Sequence, residues 1–193
     1  MDNKFSIDKI LNPEKILSKN EIFSSPSPIP KESGVYGAYF KEVPSDIDIK
    51  NCVSFEEHIL LYIGISTINL QKRIKGHYTN DASRSTLRNT LGILLADKSK
   101  FPLRRIEPYK RKTRNFTPGG ESWLNLWVEK NMFFSFETIL SYSQREDEYL
   151  SKLGPSGSLP LNIDKNNHLY ASKLKKERET AATYADKNVF YKT

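Results

Sequence analysis

Apolar residues along the chain first predict β-strands. Residues 34–40, GVYGAYF, are rich in aromatic and β-compatible side chains, and residues 58–65 contain the continuous apolar run ILLYI. A run of this kind is typical of a strand buried on both faces, so we expect the second strand at or beside the centre of a sheet. Residues 132–136, MFFSF, predict a third strand.

Apolar residues spaced as in a helix follow the second strand in the chain. Leu70 and Ile74 lie one helical turn apart. Ser66, Thr67 and Asn69, which precede them, are the candidate N-caps of this helix. A second helix is predicted from leucines at 87, 91, 94 and 95, with Ser83 or Ser85 as its cap. Further helices are expected at residues 121–130, 141–153 and 173–183. Strands and helices thus alternate irregularly, which indicates a mixed α/β or α+β domain.

Three segments are expected along the chain. Residues 1–30 form an arm that ends in the Pro/Ser-rich connector 24–30, and this arm either packs on the sheet or touches a ligand. Residues 31–163 form the main domain, in which 42–57 is a long polar connection. Residues 164–193 form a charged helical tail. A chain of 193 residues suits one domain with extensions.

The composition is that of a soluble globular protein with a large charged surface. Hydrophobic residues make up 37% of the chain, charged residues 27%, and the mean hydropathy is -0.59. With no long apolar run and no signal-peptide pattern at the start, we expect a cytoplasmic protein without membrane contact. Cys52 is the only cysteine, which excludes an internal disulfide and a cysteine-ligated zinc site. A metal would instead be a hard cation bound by oxygen.

Positive charge is concentrated in one part of the chain. Residues 65–120 contain 13 Lys and Arg against 3 Asp and Glu, a local net charge of +10, whereas the whole chain carries +7. Such a cluster suits a phosphate backbone, although a solvated basic face gives the same count. Arg84 and Arg88, four residues apart, and the basic loop 98–120 are the candidate contacts to nucleic acid.

Two glycine-flanked tyrosine triplets lie on the first two strands: Gly34-Val35-Tyr36 and Tyr62-Ile63-Gly64. Arg73 follows Gly64 by nine positions, and His77 lies four residues further on the same helical face. Pro160-Leu161-Asn162 comes later in the chain. This ordered set resembles the GIY-YIG nucleases, over roughly residues 33–163. The resemblance implies a small, mainly antiparallel, three-stranded sheet flanked by helices.

The resemblance also implies roles in phosphodiester hydrolysis. Tyr36 and Tyr62 would flank the scissile phosphate, and one of them would orient or deprotonate the attacking water. Arg73 would bind the non-bridging oxygens, a role that suits a planar guanidinium. His77 would transfer a proton or bind phosphate. By residue type alone, these four would be ordinary strand, surface and structural residues.

The family also has a metal-binding glutamate, for which Glu146 is the candidate. Glu146 is expected on the inner face of its helix, whereas Glu148 should pair with Lys152 on the outer face. A competing interpretation makes Glu146 part of a capping box with Ser143, in which it would bind no metal. One carboxylate with waters and a phosphate oxygen suits Mg²⁺ or Mn²⁺. Asn162 matches the closing asparagine of the family and would orient a loop or bind substrate.

These observations predict a metal-dependent endonuclease acting on DNA, of a restriction or defence type, with no small-molecule cofactor. A double-strand break would require a homodimer or two successive cuts. Two alternatives stay open: a nuclease fold that binds nucleic acid without cutting it, and an enzyme that cuts RNA.

Overall fold

A four-stranded antiparallel sheet forms the centre of the computed structural model, which describes residues 8–79, 81–105 and 114–187. The strands are β1 (Gly34–Phe40), β2 (Ser54–Phe55), β3 (His58–Ser66) and β6 (Met132–Thr138). Their order is β2-β3-β1-β6, and every neighbouring pair is antiparallel. The mixed fold with an antiparallel sheet is therefore confirmed. The short β2 lies in the predicted polar connection and adds a fourth strand to the expected three.

Helices surround this sheet, and a short ribbon of β4 (Arg104–Arg105) and β5 (Arg114–Asn115) lies apart from it. The helices are α1 (Asp8–Leu11), α2 (Lys19–Ile22), α3 (Leu70–Gly76), α4 (Thr86–Leu94), α5 (Ala96–Ser99), α6 (Pro118–Asn131), α7 (Tyr142–Leu153) and α8 (Leu169–Asp186). Asn69 caps α3 and Ser85 caps α4, each through its side chain, as two of the candidate caps predicted. Residues 106–113 of the predicted basic loop lie outside the described residues.

Both faces of the sheet are covered, which explains why β1 is buried along its whole length. Successive side chains of a strand point to opposite faces. Tyr36, Ala38 and Phe40 therefore join the core cluster that includes residues of α3, α4, α6 and α8. Val35 and Tyr39 point the other way and pack in a cluster with residues of α1 and α7.

The segments before and after the main domain both pack against it. Leu17 in the N-terminal arm exchanges two backbone hydrogen bonds with Phe134 of β6, at 2.8 and 3.0 Å. In α8, Leu174 and Ala181 are buried in the same cluster as the sheet. Residues 164–187, the described part of the predicted charged tail, thus pack as part of the fold. None of the helices in the described ranges is both long and apolar enough to span a bilayer.

Candidate active site

Tyr36 and Tyr62 lie side by side on one face of the sheet. In the pairing of β1 with β3, Tyr36 faces Gly64 and Ala38 faces Tyr62, so the two tyrosines are diagonal neighbours. Their ring centroids are 6.2 Å apart. Tyr36 is fully buried, and Tyr62 is partly exposed. The long connection between the strands therefore leaves the two triplets in contact.

Gly64 is required by this pair of rings. A Cβ atom at Gly64 would lie 2.5 Å from the hydroxyl oxygen of Tyr36 and 2.8 Å from a ring carbon of Tyr62. Gly34 is restricted in a similar way, because a Cβ there would lie 2.2 Å from the carbonyl oxygen of Glu137 on β6. The two glycines of the triplets thus allow close approach, one between side chains and the other between strands.

Helix α3 brings Arg73 and His77 to the Tyr36 hydroxyl. Arg73 donates a hydrogen bond from Nε to the Tyr36 oxygen at 3.2 Å, and His77 Nε2 lies 2.8 Å from the same oxygen. His77 Nδ1 lies 2.8 Å from the hydroxyl of Ser85, the cap of α4. With Tyr36 donating to Nε2, Nδ1–H donates to Ser85. Sequence reasoning identified Ser85 as a candidate cap but missed this connection to the site.

His77 is neutral in this environment. Burial lowers its pKa to about 3, assisted by the positive charges of Arg73 and Arg88. The ring is fully buried and stacks on Phe134, with centroids 5.7 Å apart. The expectation that His77 binds phosphate does not fit this position, because both ring nitrogens already contact protein hydroxyls.

Both tyrosines are held as neutral phenols. Burial raises the pKa of Tyr36 well above its ordinary value, and Tyr62 adds to this while Arg73 opposes it. Burial also raises the pKa of Tyr62, against the opposing effect of Arg73 and with the support of the Glu146 charge. Neither hydroxyl is therefore a ready phenolate in the free protein.

Glu146 lies on α7, close enough to Tyr62 for their charges to interact. Its side chain is 17% exposed and lies 3.7 Å from the Lys165 ammonium. Burial raises the pKa of Glu146, Lys165 lowers it, and the neighbouring acids Asp147 and Asp164 raise it further. A half-buried carboxylate whose ion pair is with the exposed Lys165 is available to bind a metal ion.

The capping-box interpretation of Glu146 is wrong. Helix α7 begins at Tyr142 and its cap is Ser141, so Ser143 lies inside the helix. Glu148 accepts a hydrogen bond from Arg145 at 3.2 Å, where a pair with Lys152 was expected. No group of three His, Cys, Asp or Glu side chains suited to a metal occurs in the part of the chain that the structure describes. Glu146 would thus bind a metal together with water and substrate oxygens.

Asn162 positions the second triplet. Its Oδ1 accepts a hydrogen bond from the Ile63 N–H at 2.9 Å, and its Nδ2 donates to the Ile63 carbonyl at 2.8 Å. The side chain is buried, and its two polar atoms are used in these bonds. Asn162 therefore orients the strand between Tyr62 and Gly64, and its expected role in substrate binding does not fit this position.

Arg84 and Arg88 have different environments despite their spacing. Arg88 is 1% exposed, and its guanidinium donates to the Glu121 carboxylate at 2.9 Å from Nε and 2.5 Å from Nη2. It is a structural residue, which corrects the prediction that it binds substrate. Arg84 is exposed, pairs with Asp81 at 2.9 Å, and is accessible to a substrate.

A family model described as the GIY-YIG catalytic domain matches residues 34–182, which is more than half of the chain. The match includes both triplets, Arg73, His77, Glu146 and Asn162, and it runs into α8. No curated protein and no solved structure matches the chain.

Proposed function

The chain belongs to the GIY-YIG family, and on this premise we propose that it is a metal-dependent endonuclease that hydrolyses DNA phosphodiester bonds. One observation carries the proposal: Arg73 and His77 both meet the hydroxyl of Tyr36, beside Tyr62. Hydrolysis requires a proton acceptor for the attacking water and positive charge on the phosphorane-like transition state. This group of residues contains candidates for both.

In the proposed mechanism, Tyr36 takes a proton from water as its own proton moves to His77. The Tyr36–His77 contact of 2.8 Å is short enough for such a transfer, and the neutral ring accepts at Nε2. Ser85 bonds to the other nitrogen and fixes the ring orientation. The low pKa of His77, caused by burial and then by Arg73, opposes this transfer in the free protein. A phosphate bound to Arg73 would offset that positive charge and ease the transfer.

Arg73 binds the non-bridging oxygens of the scissile phosphate in this mechanism. Its Nε–H bonds Tyr36, and its other N–H groups would be the ones that bind the substrate. Tyr62, the more exposed of the two tyrosines, orients the water or the phosphate from the other side. Asn162 keeps Tyr62 in position through its bonds to Ile63.

Glu146 is the residue that would hold Mg²⁺ or Mn²⁺. The metal, when bound, supplies positive charge to the phosphate and the leaving oxygen. The half-buried carboxylate fits such an ion, since Mg²⁺ is commonly bound by one or two carboxylates, with waters and phosphate oxygens as its other ligands. An ion bound there would take the place of the Lys165 ammonium, which lies 3.7 Å from the carboxylate.

The family includes restriction, homing, repair and recombination nucleases. We assign this chain to the restriction or defence group, as a cytoplasmic enzyme without a small-molecule cofactor. A single chain has one such site, so the proposal predicts nicking by a monomer and double-strand breaks by a homodimer.

Cleavage of supercoiled plasmid tests the proposed function. Purified protein is incubated with Mg²⁺ or Mn²⁺, and a chelator is the control. Metal-dependent conversion to nicked, linear or fragmented DNA is expected, and discrete fragments would support the restriction assignment. Folded protein that binds DNA and leaves every form intact would instead support a non-catalytic binding module. Cleavage of RNA but not of DNA would support the alternative of an enzyme that cuts RNA by the same mechanism.

A further inference from the structure

A groove of about 630 Å³ lies between α4 and α8. One wall includes Ala82, Ser83 and Thr86, and the other includes Lys175, Arg178, Glu179 and Ala182 of α8. The volume is within the usual range of small-ligand sites. The groove was not expected from the sequence, which predicts a charged helical tail in this part of the chain.

Both walls of the groove are continuous with residues of the active site. Ser85, which bonds His77, lies between Ser83 and Thr86 in the chain. At the other end, Asp164 lines the groove two residues after Asn162, which is bonded to Ile63 of β3. The groove is therefore lined by close chain neighbours of Ser85 and Asn162, two residues that hold the site in place.

Arg178 connects the groove to Tyr62 most directly. Its guanidinium lies within electrostatic range of the Tyr62 hydroxyl and the Asp164 carboxylate. Its Nε atom is inaccessible to solvent and finds no hydrogen-bond partner among the described residues. A buried donor without a partner costs free energy, which an anionic acceptor entering the groove would offset. Burial lowers the pKa of Arg178, although Asp164 opposes this effect, which is consistent with a charge that still lacks a full counter-ion.

We propose that this groove binds the nucleotide next to the scissile phosphate, with Arg178 donating to the flanking phosphate group. The inference rests on the proposed nuclease function and adds a substrate-binding residue outside the matched motif set. Lys175 is exposed on the same wall and adds positive charge, which Glu179 on that wall partly offsets. Ser83, Thr86 and Asn89 supply hydroxyl and amide groups that can bond the sugar or base.

Binding of a duplex oligonucleotide tests the groove, measured by fluorescence anisotropy in chelator at several salt concentrations. Arg178→Ala should raise the Kd about tenfold and reduce the salt slope by about one phosphate contact. Ala182→Trp fills the groove and should also weaken binding, without changing the charge. Lys176→Ala is the matched control, since Lys176 is exposed on the same helix and does not line the groove.

Arg178→Lys and Lys175→Ala are further groove variants whose changes leave the packing of α8 intact. Thermal unfolding measures whether every variant is folded. The inference is overturned if the groove variants bind no more weakly than Lys176→Ala. If those variants also leave plasmid cleavage unchanged while the wild-type protein cuts, the groove assignment fails and the proposed function stands. A wild-type protein that neither binds nor cuts nucleic acid would overturn both.

Discussion

The Tyr36 hydroxyl oxygen lies 2.8 Å from Nε2 of His77, and both side chains are fully buried. This contact joins the first strand of the sheet to the end of α3, 41 residues later in the chain. It places the His77 ring where burial and nearby arginines keep it uncharged. The stability of the fold and the chemistry of the site therefore depend on the same hydrogen bond.

The pKa of His77 predicts how stability changes with pH. The folded-state pKa is about 3, well below the ordinary histidine value of 6.5, so the unfolded chain binds more protons between these pH values. Stability from this residue is complete above the unfolded pKa and falls as the pH drops, by about 1.4 kcal/mol per pH unit. Chemical denaturation at a series of pH values measures this slope.

His77→Gln is the control for that slope. It should lower stability at neutral pH, because it disturbs the bonds to Tyr36 and Ser85, and it should flatten the pH dependence below about pH 6.5. Parallel curves for the two proteins would show that His77 is not the titrating group.

Gly64→Ala should disturb the site with little effect elsewhere. The new Cβ would lie 2.5 Å from the Tyr36 oxygen, so Tyr36 must move away from Arg73 and His77. We expect a loss of cleavage of about a hundredfold or more, since small displacements of catalytic groups have such effects. Gly76→Ala is the matched control, because nothing lies within 4 Å of a Cβ there. Equal activity of the two variants would contradict the assigned geometry.

The choice between two carboxylates can be measured directly. Glu146→Gln should abolish metal-dependent cleavage and leave DNA binding in chelator unchanged. Glu148→Gln should retain cleavage, because its carboxylate is committed to Arg145. Isothermal titration with Mn²⁺ gives a readout independent of activity: the heat of metal binding should disappear only for Glu146→Gln. Loss of cleavage and of the binding heat only in Glu148→Gln would instead identify Glu148 as the metal ligand.

Substitution of the two tyrosines separates their roles. Tyr36→Phe removes the proposed proton acceptor and should lower the cleavage rate by about a hundredfold to ten-thousandfold at unchanged DNA affinity. Tyr62→Phe should have the smaller effect, because the Tyr62 hydroxyl is proposed to orient the water or the phosphate and not to accept the proton. Single-turnover rates with saturating enzyme measure both, and a larger loss for Tyr62→Phe would exchange the assignments.

Arg88 should behave as a structural residue. Arg88→Met leaves Glu121 buried without its counter-ion and should destabilise the fold by about 3–5 kcal/mol. Combining it with Glu121→Leu should recover much of that loss, since the pair is then replaced by apolar groups. Denaturant unfolding of the single and double variants checks this. If Arg88→Met were as stable as the wild-type protein but bound DNA more weakly, Arg88 would be a substrate-binding residue and not a structural one.

Local patterns in the chain predicted most of the elements. Strand β1 has the predicted bounds. Asn69 caps α3 and Ser85 caps α4, both of them candidate caps in the sequence. These features depend on side-chain periodicity and on bonds between near neighbours, which are visible in a short window of sequence. The ordered motif set likewise identified the family.

Contacts between distant segments could not be predicted in this way. Arg84 and Arg88 lie four positions apart, but Arg84 precedes the cap of α4, whereas Arg88 lies inside the helix. There it turns inward to Glu121, 33 positions away. Asn162 bonds Ile63 across 99 positions, and α8 returns to line a groove together with Thr86 and Asn89 of α4. Periodicity specifies which face of an element is apolar, but the packing of the whole chain selects the partner of each polar group. Burial of a polar side chain is tolerated only where that partner is present.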